Sequence, residues 1–572
     1  MRKKADWQEQ IKLAKDYRRK HNQFDRWSDI VMYFRHRFSD DTIPFNLVYL
    51  MYSALRTALY FRDPFIRISP RKPQVKPFTD VVESAANYFF EELDFGGEFK
   101  DTILYAYLFN VGPVQVGYNF GEGSQNIDET MVELLMREKD GITRASPFNV
   151  NMKPNMPWIE AINPLMFLTS WGTRKLSNSR WCAKGVWKPV EYIKRKYGYK
   201  PHSHSIIPNA DTMNPTIGFF TNDMYEQSRK EPHVFYWEVH DYENGKMLGV
   251  KEDGEYIFEP VDDDTQVEGL PFEALTFNDD PTTMWGVPDP IYIEPQMKEG
   301  NQARTYNSRA RKVSLMKAIA RRGTFDEESI EQFLSDDMLP FIEIDGDPEQ
   351  AISLISPHVY PDLVNYAESI FTDVQKLMGF GHNQLAGLAP GRRTAQEVNL
   401  VQSNYESRID ERRGRLGKVV QRCLRRVLQL AFDNWTDPIL TQVLGQDGAM
   451  YWVEYKPDTL GKIRGEYDLE VDVDSMKAQS KETRKGEAVE ILASLSKLGP
   501  MLQDANLNIK PILGELLKQF DWVDVKAVLP QAPETQQRPM QLQEYVGQQR
   551  RLQGNPSAMQ ARRQQMLGGI MR

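Results

Sequence analysis

Apolar residues recur at helical spacing along the first 61 residues of the chain. Trp7, Ile11 and Ala14 are spaced four and three residues apart, and a second run of this kind ends before Asp63-Pro64. Such spacing places apolar side chains on one face of a helix, and the residue before a proline disfavours the helical conformation. The pattern therefore predicts mostly helix up to about residue 61.

Farther along the chain, apolar residues recur every second residue in some segments, as in strands, and about every 3.6 residues in others, as in helices. They predict strands over 65–69 and 114–118 and helices over 77–93 and 98–109. Between about residues 146 and 285, short β-like runs separated by Gly, Pro and Asn predict one helix over 190–197 and strands over 158–163, 167–171, 181–187, 234–242 and 256–261. The segment 202–229 has no clear period, which predicts an exposed loop.

Two polar helical patterns follow, over 297–322 and over 362–378. The second leads into a glycine-punctuated loop over 379–393, which ends in Arg392 and Arg393. Polar helices are marginal in water without packing partners. The sequence therefore predicts a helical hairpin that needs contacts from elsewhere.

A long helix opens directly after this loop. Thr394 and Glu397 fit a capping box, in which a hydroxyl and a carboxylate accept hydrogen bonds from free backbone N–H groups of the first turn. One face then stays apolar to about residue 435. Beyond it the pattern predicts strands over 449–455 and 467–473 and helices over 476–498 and 510–520.

The overall charge limits what the chain can bind. It holds 71 Lys and Arg against 80 Asp and Glu, a formal net charge of −9, so contact with DNA must use local basic patches. Its two cysteines exclude a disulfide framework and a Cys-rich zinc module. The start lacks the apolar stretch of a signal peptide and no apolar run reaches about 18 residues, so we expect a soluble chain without a membrane partner.

Local charge is strongly uneven around the hairpin. The first helix is basic, with Arg304, Arg309, Arg311, Lys312 and Lys317. Residues 324–350 carry no Lys or Arg but many acids, among them Asp326, Glu327, Glu328, Glu331, Asp336 and Asp337. From residue 530 onward Gln dominates and Arg outnumbers Glu, which predicts a mobile basic tail.

Signatures of catalysis are absent from the sequence. It contains no Gly-x4-Gly-Lys-Ser/Thr phosphate loop and no Gly-x-Ser-x-Gly elbow. His202 and His204 have metal-like spacing but no Cys or carboxylate cluster beside them. Solvated turns and strand edges are the favoured interpretation of the remaining acidic groups, at 262–264, 279–280 and 472–474. We therefore expect no catalytic residue, cofactor or metal site.

Identical copies side by side would give the hairpin its missing partners. In a closed ring, the basic residues of one copy meet acids of the next, and heterologous contacts that close generate such rings. The loop over 379–393 would then converge on the axis. Arg392 and Arg393 would present cations to a phosphate backbone without reading bases.

The order of these parts resembles the portal, or head-to-tail connector, proteins of tailed bacteriophages, most closely those of short-tailed phages. Trp285-Gly286 leads into the first long helix as in that family. Arg392-Arg393-Thr394-Ala395-Gln396-Glu397 is similar to the connector pattern Arg-x-Thr-Ala-x-Glu, which opens the long helix that crosses the wing. The resemblance implies an α+β, mainly helical portal fold with wing, stem, clip and crown, which assembles into a ring.

The resemblance also implies a division of the chain. The implied parts are a wing over 1–285, a first stem helix over 286–322, an acidic clip over 323–360, a second stem helix over 361–378, a tunnel loop over 379–393, a long wing helix with a β segment over 394–475, crown helices over 476–529, and a Gln-rich basic tail over 530–572. In the tunnel loop, His382, Arg392 and Arg393 would face DNA.

The implied function is that of a conduit. About twelve subunits would form a ring at one capsid vertex, made in the host cytoplasm and built into the virion, through which double-stranded DNA enters and leaves without sequence-specific contacts. The acidic clip would dock terminase and later tail adaptor proteins, and capsid and scaffolding proteins would be further partners. Two alternatives stay open: a monomeric nucleic-acid-binding adaptor that uses the basic tail, and a metal-dependent nuclease that uses Asp472 and Asp474.

Overall fold

A computed structural model describes the larger part of the chain. The described residues are 4–21, 24–39, 41–72, 75–119, 156–200, 233–313, 317–320, 352–355, 362–378, 395–434, 439–444, 450–455, 467–472, 476, 540–541 and 543–548. The structure is mixed helix and strand and roughly 54 % helical. The predicted fold class, α+β and mainly helical, is confirmed at this level.

The regular elements are numbered in chain order. The long helices are α1 (Lys4–His21), α2 (Trp27–Phe34), α3 (Leu47–Leu59), α4 (Lys76–Glu92), α5 (Phe95–Phe109), α6 (Val190–Tyr197), α7 (Asp289–Val313), α8 (Asp362–Met378) and α9 (Ala395–Asn434). The strands are β1 (Phe65–Pro70), β2 (Val111–Tyr118), β3 (Pro157–Ala161), β4 (Phe167–Thr169), β5 (Trp181–Pro189), β6 (His233–Asp241), β7 (Lys246–Val250), β8 (Tyr256–Asp262), β9 (Phe272–Thr276), β10 (Lys317–Ala320), β11 (Ile352–Ile355), β12 (Ile439–Leu444), β13 (Met450–Tyr455), β14 (Tyr467–Asp472) and β15 (Met540–Gln541). Among these described helices, none is long and apolar enough to cross a membrane.

The chain divides into two compact units that interleave along the sequence. The first unit combines residues 1–28, 52–288 and 406–572, and the second unit combines 29–51 with 289–405. Residues 29–51, which lie inside the implied wing over 1–285, belong to the second unit, and the division into wing, stem, clip and crown stays a prediction. Contacts between segments far apart in sequence decide such a grouping, so a consecutive division of the chain cannot reproduce it.

A five-stranded antiparallel sheet in the order β4-β5-β6-β7-β8 forms one core of the first unit. Helix α1 packs on this sheet through the apolar stripe that the sequence predicts, with Trp7 and Ile11 in the same buried cluster as Trp181 and Trp237. The rings of Trp7 and Trp181 meet edge to face with centroids 5.6 Å apart. The helical spacing of apolar residues at the start of the chain therefore corresponds to the buried face of α1.

A second, three-stranded sheet has β2 in its centre, between β3 and β9. Every residue of β2 is buried. The sequence pattern does not predict β7 or β9, although both are strands in the structure. In β7, Gly249 interrupts the apolar run of the sequence. Glycine is needed at this position, because a Cβ there would lie 2.4 Å from the ring of Phe258 on β8. In β9, pairing with β2 rather than local pattern makes the strand.

Helix α9 is attached to the first unit by arginines. Arg413 is buried and donates from Nη2 to the Ala58 carbonyl at 2.6 Å. Arg415 forms two hydrogen bonds of 2.9 Å to the Asp279 carboxylate, which is the bidentate geometry that guanidinium groups favour. Arg426 Nη1 lies 2.7 Å from Glu273 Oε1 on β9. These contacts tie the long helix to segments more than a hundred residues earlier.

The prediction of a mobile tail from residue 530 is wrong for residues 540–541 and 543–548. There, β15 pairs in parallel with β13, with Val453 opposite Met540. Residues 543–548 are helical, and Tyr545 and Val546 are buried. The few apolar residues of this Gln-rich segment are enough to dock it, because they fall together within one helical turn.

Candidate functional site: the helical hairpin of the second unit

The segment that precedes the hairpin is tightly packed. Trp285 is buried against Trp27, with ring centroids 6.3 Å apart. A Cβ at Gly286 would lie 2.4 Å from Asn110 Nδ2, so only glycine fits here without displacement. The Asn110 amide donates to the Asn278 carbonyl at 2.7 Å and accepts from the Asn278 N–H at 2.8 Å. The Trp285-Gly286 pair is therefore a packing requirement.

Helix α7 begins earlier and ends earlier than the sequence predicts. It starts at Asp289 rather than at about residue 297 and ends at Val313 rather than at Arg322. Pro290 stands in the first turn, where a missing N–H breaks no helical hydrogen bond. Pro295 lies inside the helix, and burial of the neighbouring apolar side chains offsets its cost.

Lys317, which the sequence predicts to lie in the first stem helix, lies in a strand in the structure. It opens β10, which pairs antiparallel with β11 so that Lys317 lies opposite Ile355. A run such as Lys-Ala-Ile-Ala has no decisive local preference, and pairing with a distant strand determines its conformation. Arg311 and Lys312 remain in the last turn of α7.

Helices α7 and α8 form the predicted hairpin. α8 spans Asp362–Met378, the bounds that the sequence predicts. The buried side of the hairpin includes Ile293 and Met297 of α7 and Ile370 and Val374 of α8. Gly300 of α7 faces α8 here, and a Cβ at this position would make an ordinary contact with Ile370 Cγ2 at 3.6 Å.

The opposite side of α7 carries an exposed stripe with coiled-coil spacing. Its members follow one another alternately three and four residues apart: Tyr292, Pro295, Glu299, Gln302, Tyr306 and Arg309. Tyr306 is 66 % exposed, and Tyr366 of α8, also exposed, donates a hydrogen bond to Glu299. This α7 stripe was not among the predicted features, although its spacing is readable in the sequence between Tyr292 and Arg309.

A loop, described over 35–39 and 41–46, packs against α7 within the second unit. The Phe45 N–H donates to Asn301 Oδ1 at 2.6 Å, and the Ile43 N–H donates to Thr305 Oγ1 at 3.0 Å. The Arg304 guanidinium lies 5.2 Å from the centre of the Phe45 ring, a cation–π distance. Two uncharged side chains of the helix thus hold the loop in place.

Arg309 lies 3.9 Å from Asp41 of this loop, with both side chains mostly exposed. The ion pair is at the edge of a cleft of about 740 Å³ between α2, α7 and the loop. Aromatic and basic side chains line the cleft together, among them Tyr33, Arg37, Phe38, Lys298, Tyr306 and Arg309. Lys298 is held by Glu294 at 2.7 Å. This mixture of aromatic and charged groups is typical of surfaces that bind protein.

Several predicted site residues lie outside the described part of the chain. They are His382, Arg392, Arg393 and Thr394 of the tunnel loop and helix start, the acids Asp326, Glu327, Glu328, Glu331, Asp336 and Asp337, the segment 202–229 with His202 and His204, and the crown beyond Met476. Glu397 lies in the first turn of α9, which begins at Ala395 directly after the predicted cap. Of the predicted basic residues, Arg304 and Arg309 of α7 both contact the preceding loop, through Phe45 and Asp41.

The acids considered for a nuclease have other partners. Asp472 pairs with Arg67 across the β1–β14 ladder at 3.2 Å. Asp262 pairs with Lys246 at 2.6 Å, and Asp280 accepts from the Thr282 N–H at 2.7 Å in a tight turn. Among the side chains that the structure describes, no three His, Cys, Asp or Glu groups are placed to hold a metal ion.

The two cysteines do not form a reactive centre. Cys182 lies in β5 and Cys423 in α9, and both are buried. Burial raises the pKa of Cys182 to about 12 and also raises the pKa of Cys423. Thiols with raised pKa values are poor nucleophiles at neutral pH.

Comparison with known proteins adds one finding. A family model described as "Phage P22-like portal protein" matches residues 302–571. A search among curated proteins finds no match. The matched range begins at residue 302 and covers only the second half of α7, all of α8 and α9, and strands β10 to β15. It therefore includes part of the hairpin and the two strands between its helices.

Proposed function

We propose that this chain, whose residues 302–571 match the model of the phage P22-like portal protein family, belongs to that family and assembles into a ring of about twelve subunits. Portal proteins of this family are structural and non-enzymatic, and they belong to the capsid vertex and to DNA packaging. The family match is the observation that carries the proposal. The ring would be the channel for DNA packaging and ejection.

The exposed stripe on α7 supports contacts between subunits. Large exposed apolar side chains that gather on one helix face are characteristic of protein interfaces. Tyr292 and Tyr306 stand on this face at coiled-coil spacing, and Tyr366 of the neighbouring helix adds a third ring. A second copy of the chain is the occupant we propose for this surface.

Charge on the two helices is complementary. The second half of α7 carries Arg304 and Arg309 with no acid after Glu299, whereas α8 carries acids along most of its length. Asp373 of α8 is exposed. In a ring, α7 of one copy would face α8 of the next, with opposite charges in register.

Two further sites belong to the proposal. His382, Arg392 and Arg393 would face the channel, where a few cations on a loop can touch phosphates without holding the DNA tightly. The acids between residues 326 and 337 would dock terminase during packaging and tail adaptor proteins afterwards. Support for both is the family match and the charge pattern.

Electron microscopy of the purified full-length protein tests the ring. Class averages with about twelvefold rotational symmetry and a central hole would support the proposal, and uniform single-subunit particles would favour the monomeric adaptor. A Y292A/Y306A double variant should shift the population from rings towards monomers. Tyr242→Ala is the matched control, because Tyr242 is similarly exposed but lies in the first unit. Intact rings in the double variant would contradict the assigned surface.

Channel function is tested separately, in an assay that packages DNA into procapsids. Arg392→Ala with Arg393→Ala should alter packaging or DNA retention while the rings persist. Loss of the rings would instead show that this loop has an assembly role.

A further inference from the structure

A tryptophan stands exposed at the tip of a rigid loop in the first unit. Residues 170–180, here called the Trp171 loop, connect β4 to β5. Trp171 is 63 % exposed, the largest exposed fraction among the described tryptophans. Exposing an indole in water is unfavourable, and neither the hairpin nor the family match accounts for it.

Buried hydroxyl groups hold this loop in one conformation. Ser170, Thr173 and Ser179 are all buried. Ser170 Oγ lies 2.9 Å from Thr173 Oγ1 and 3.1 Å from Ser179 Oγ, and Thr173 Oγ1 donates to the Ser170 carbonyl at 2.7 Å. The hydroxyls thus form a closed network within the Trp171 loop.

Contacts to neighbouring segments attach the network to the core. Ser179 Oγ donates to the Trp181 carbonyl at 2.7 Å, and the Met284 N–H donates to the Thr173 carbonyl at 3.3 Å. Gly172 has φ of +78°, a conformation that side chains other than glycine rarely adopt. The loop is therefore pre-organised, and a ligand would meet Trp171 with little ordering cost.

Three cationic side chains belong to the same loop. Arg174, Lys175 and Arg180 are all exposed. The nearest acid to Arg180 is Glu243, at 3.8 Å with both side chains substantially exposed, which leaves the loop net positive. A rigid Trp among Arg and Lys side chains is the composition of an interface hot spot.

We propose that the Trp171 loop docks an acidic protein segment that also offers an apolar side chain to the indole. Duplex DNA fits the loop less well, because its bases are stacked on one another and give the indole no partner. Three cations are also few for phosphate-driven binding, which draws its affinity from many contacts.

Fluorescence anisotropy with the full-length protein tests this proposal. The probe is a labelled peptide that alternates Asp-Glu pairs with Leu and Phe, and its control peptide has Asn and Gln in place of the acids. We expect the acidic peptide to bind and the amide peptide not to bind. Trp171→Ala and the double variant R174A/K175A should each weaken binding about tenfold or more.

Matched controls separate the loop from general effects. K194A/R195A removes two exposed charges from α6, and Tyr88→Ala removes an exposed aromatic ring from α4. Both should leave the peptide affinity unchanged. Circular dichroism of the variants checks that the fold persists, and ring counts by microscopy judge the proposed function independently.

Three results would overturn the proposal. The first is absence of peptide binding up to about 1 mM, the range of the weakest specific contacts. The second is binding that survives both loop variants. The third is tighter binding of a labelled DNA duplex or single strand with the same dependence on Trp171, which would make the loop a nucleic-acid site.

Discussion

His240 joins the five-stranded sheet to the β3-β2-β9 sheet through a buried polar cluster. The imidazole is 1 % exposed, and its Nδ1 donates to Asp263 Oδ2 at 2.6 Å. Its Nε2 lies 3.5 Å from Glu238 Oε1 and 3.3 Å from the Gln115 amide nitrogen. Turning the Gln115 amide would present its oxygen to Nε2–H, so the site can satisfy a doubly protonated ring.

Two opposing effects set the pKa of His240. Burial alone lowers it, but the Asp263 carboxylate and then Glu238 outweigh burial and raise it to about 9. Burial likewise raises the pKa of Asp263, yet His240 and the hydrogen bonds from Thr265 and Gln266 bring it down to about 2. Both groups are therefore charged in the folded protein at neutral pH.

The first prediction follows from that raised pKa. A group whose folded pKa exceeds its unfolded value stabilises the fold fully below the unfolded pKa, about 6.5, and loses this contribution as pH rises through about 9. His240→Gln should lower stability at pH 6.5 by about 2–4 kcal/mol. The difference between wild type and variant should shrink between pH 7 and 9.5, as measured by urea unfolding.

His36→Gln is the control for this titration, because His36 is exposed. Its unfolding free energy should follow the wild-type pH profile. A constant gap between wild type and H240Q from pH 6.5 to 9.5 would show that the imidazole is not charged in the fold.

At the scale of elements, β7 and β8 are paired through a glycine that makes room for a ring. Gly249 lies opposite Phe258 at an irregular register, and an added Cβ would fall 2.4 Å from the ring. Gly249→Ala should therefore force the ring aside and destabilise the first unit by about 1–3 kcal/mol. Thermal unfolding followed by circular dichroism measures this, and an unchanged Tm would contradict the tight contact.

The same substitution should have the opposite sign in α9. Gly414 lies inside the helix, and an added Cβ there meets nothing within 4 Å. Gly414→Ala should stabilise the protein by about 0.5–1 kcal/mol, because alanine loses less backbone entropy in a helix. A lower unfolding midpoint in urea would show that α9 needs the glycine for another reason.

The bounds of individual helices could be predicted from the sequence, whereas the strands were predicted less well. The bounds of α6 and α8 agree with the sequence pattern, because each has a strong apolar period and a clear start and end. In β9 and β10 the local pattern is ambiguous, and a partner strand decides the conformation. The hairpin could therefore be predicted from its helices, but the strands at its end could not.

At the scale of the whole molecule, the tail is a part of the first unit. Removal of residues 530–572 takes away β15 and the buried Tyr545 and Val546. We expect the truncated protein to unfold at lower urea concentration, with a loss of about 3 kcal/mol from the lost burial. Rings should still form, because the hairpin is intact.

The same truncation distinguishes the proposed portal from the monomeric adaptor. An adaptor that binds nucleic acid through its basic tail would lose DNA binding in an electrophoretic shift assay. Truncated protein that is as stable as the full chain would show that β15 contributes nothing to the first unit.

The sequence by itself determined the positions of the main helices, the basic and acidic halves of the hairpin, and the resemblance to portal proteins. These features depend on the spacing of apolar residues and on the charge pattern. Both can be read from short stretches of sequence, a few helical turns long. Only the tertiary structure decided that residues 29–51 join the second unit, that Lys317 belongs to a strand, and that Trp171 stands exposed on a rigid loop. Those outcomes depend on pairing and burial between residues far apart in the chain, for which local spacing carries no signal.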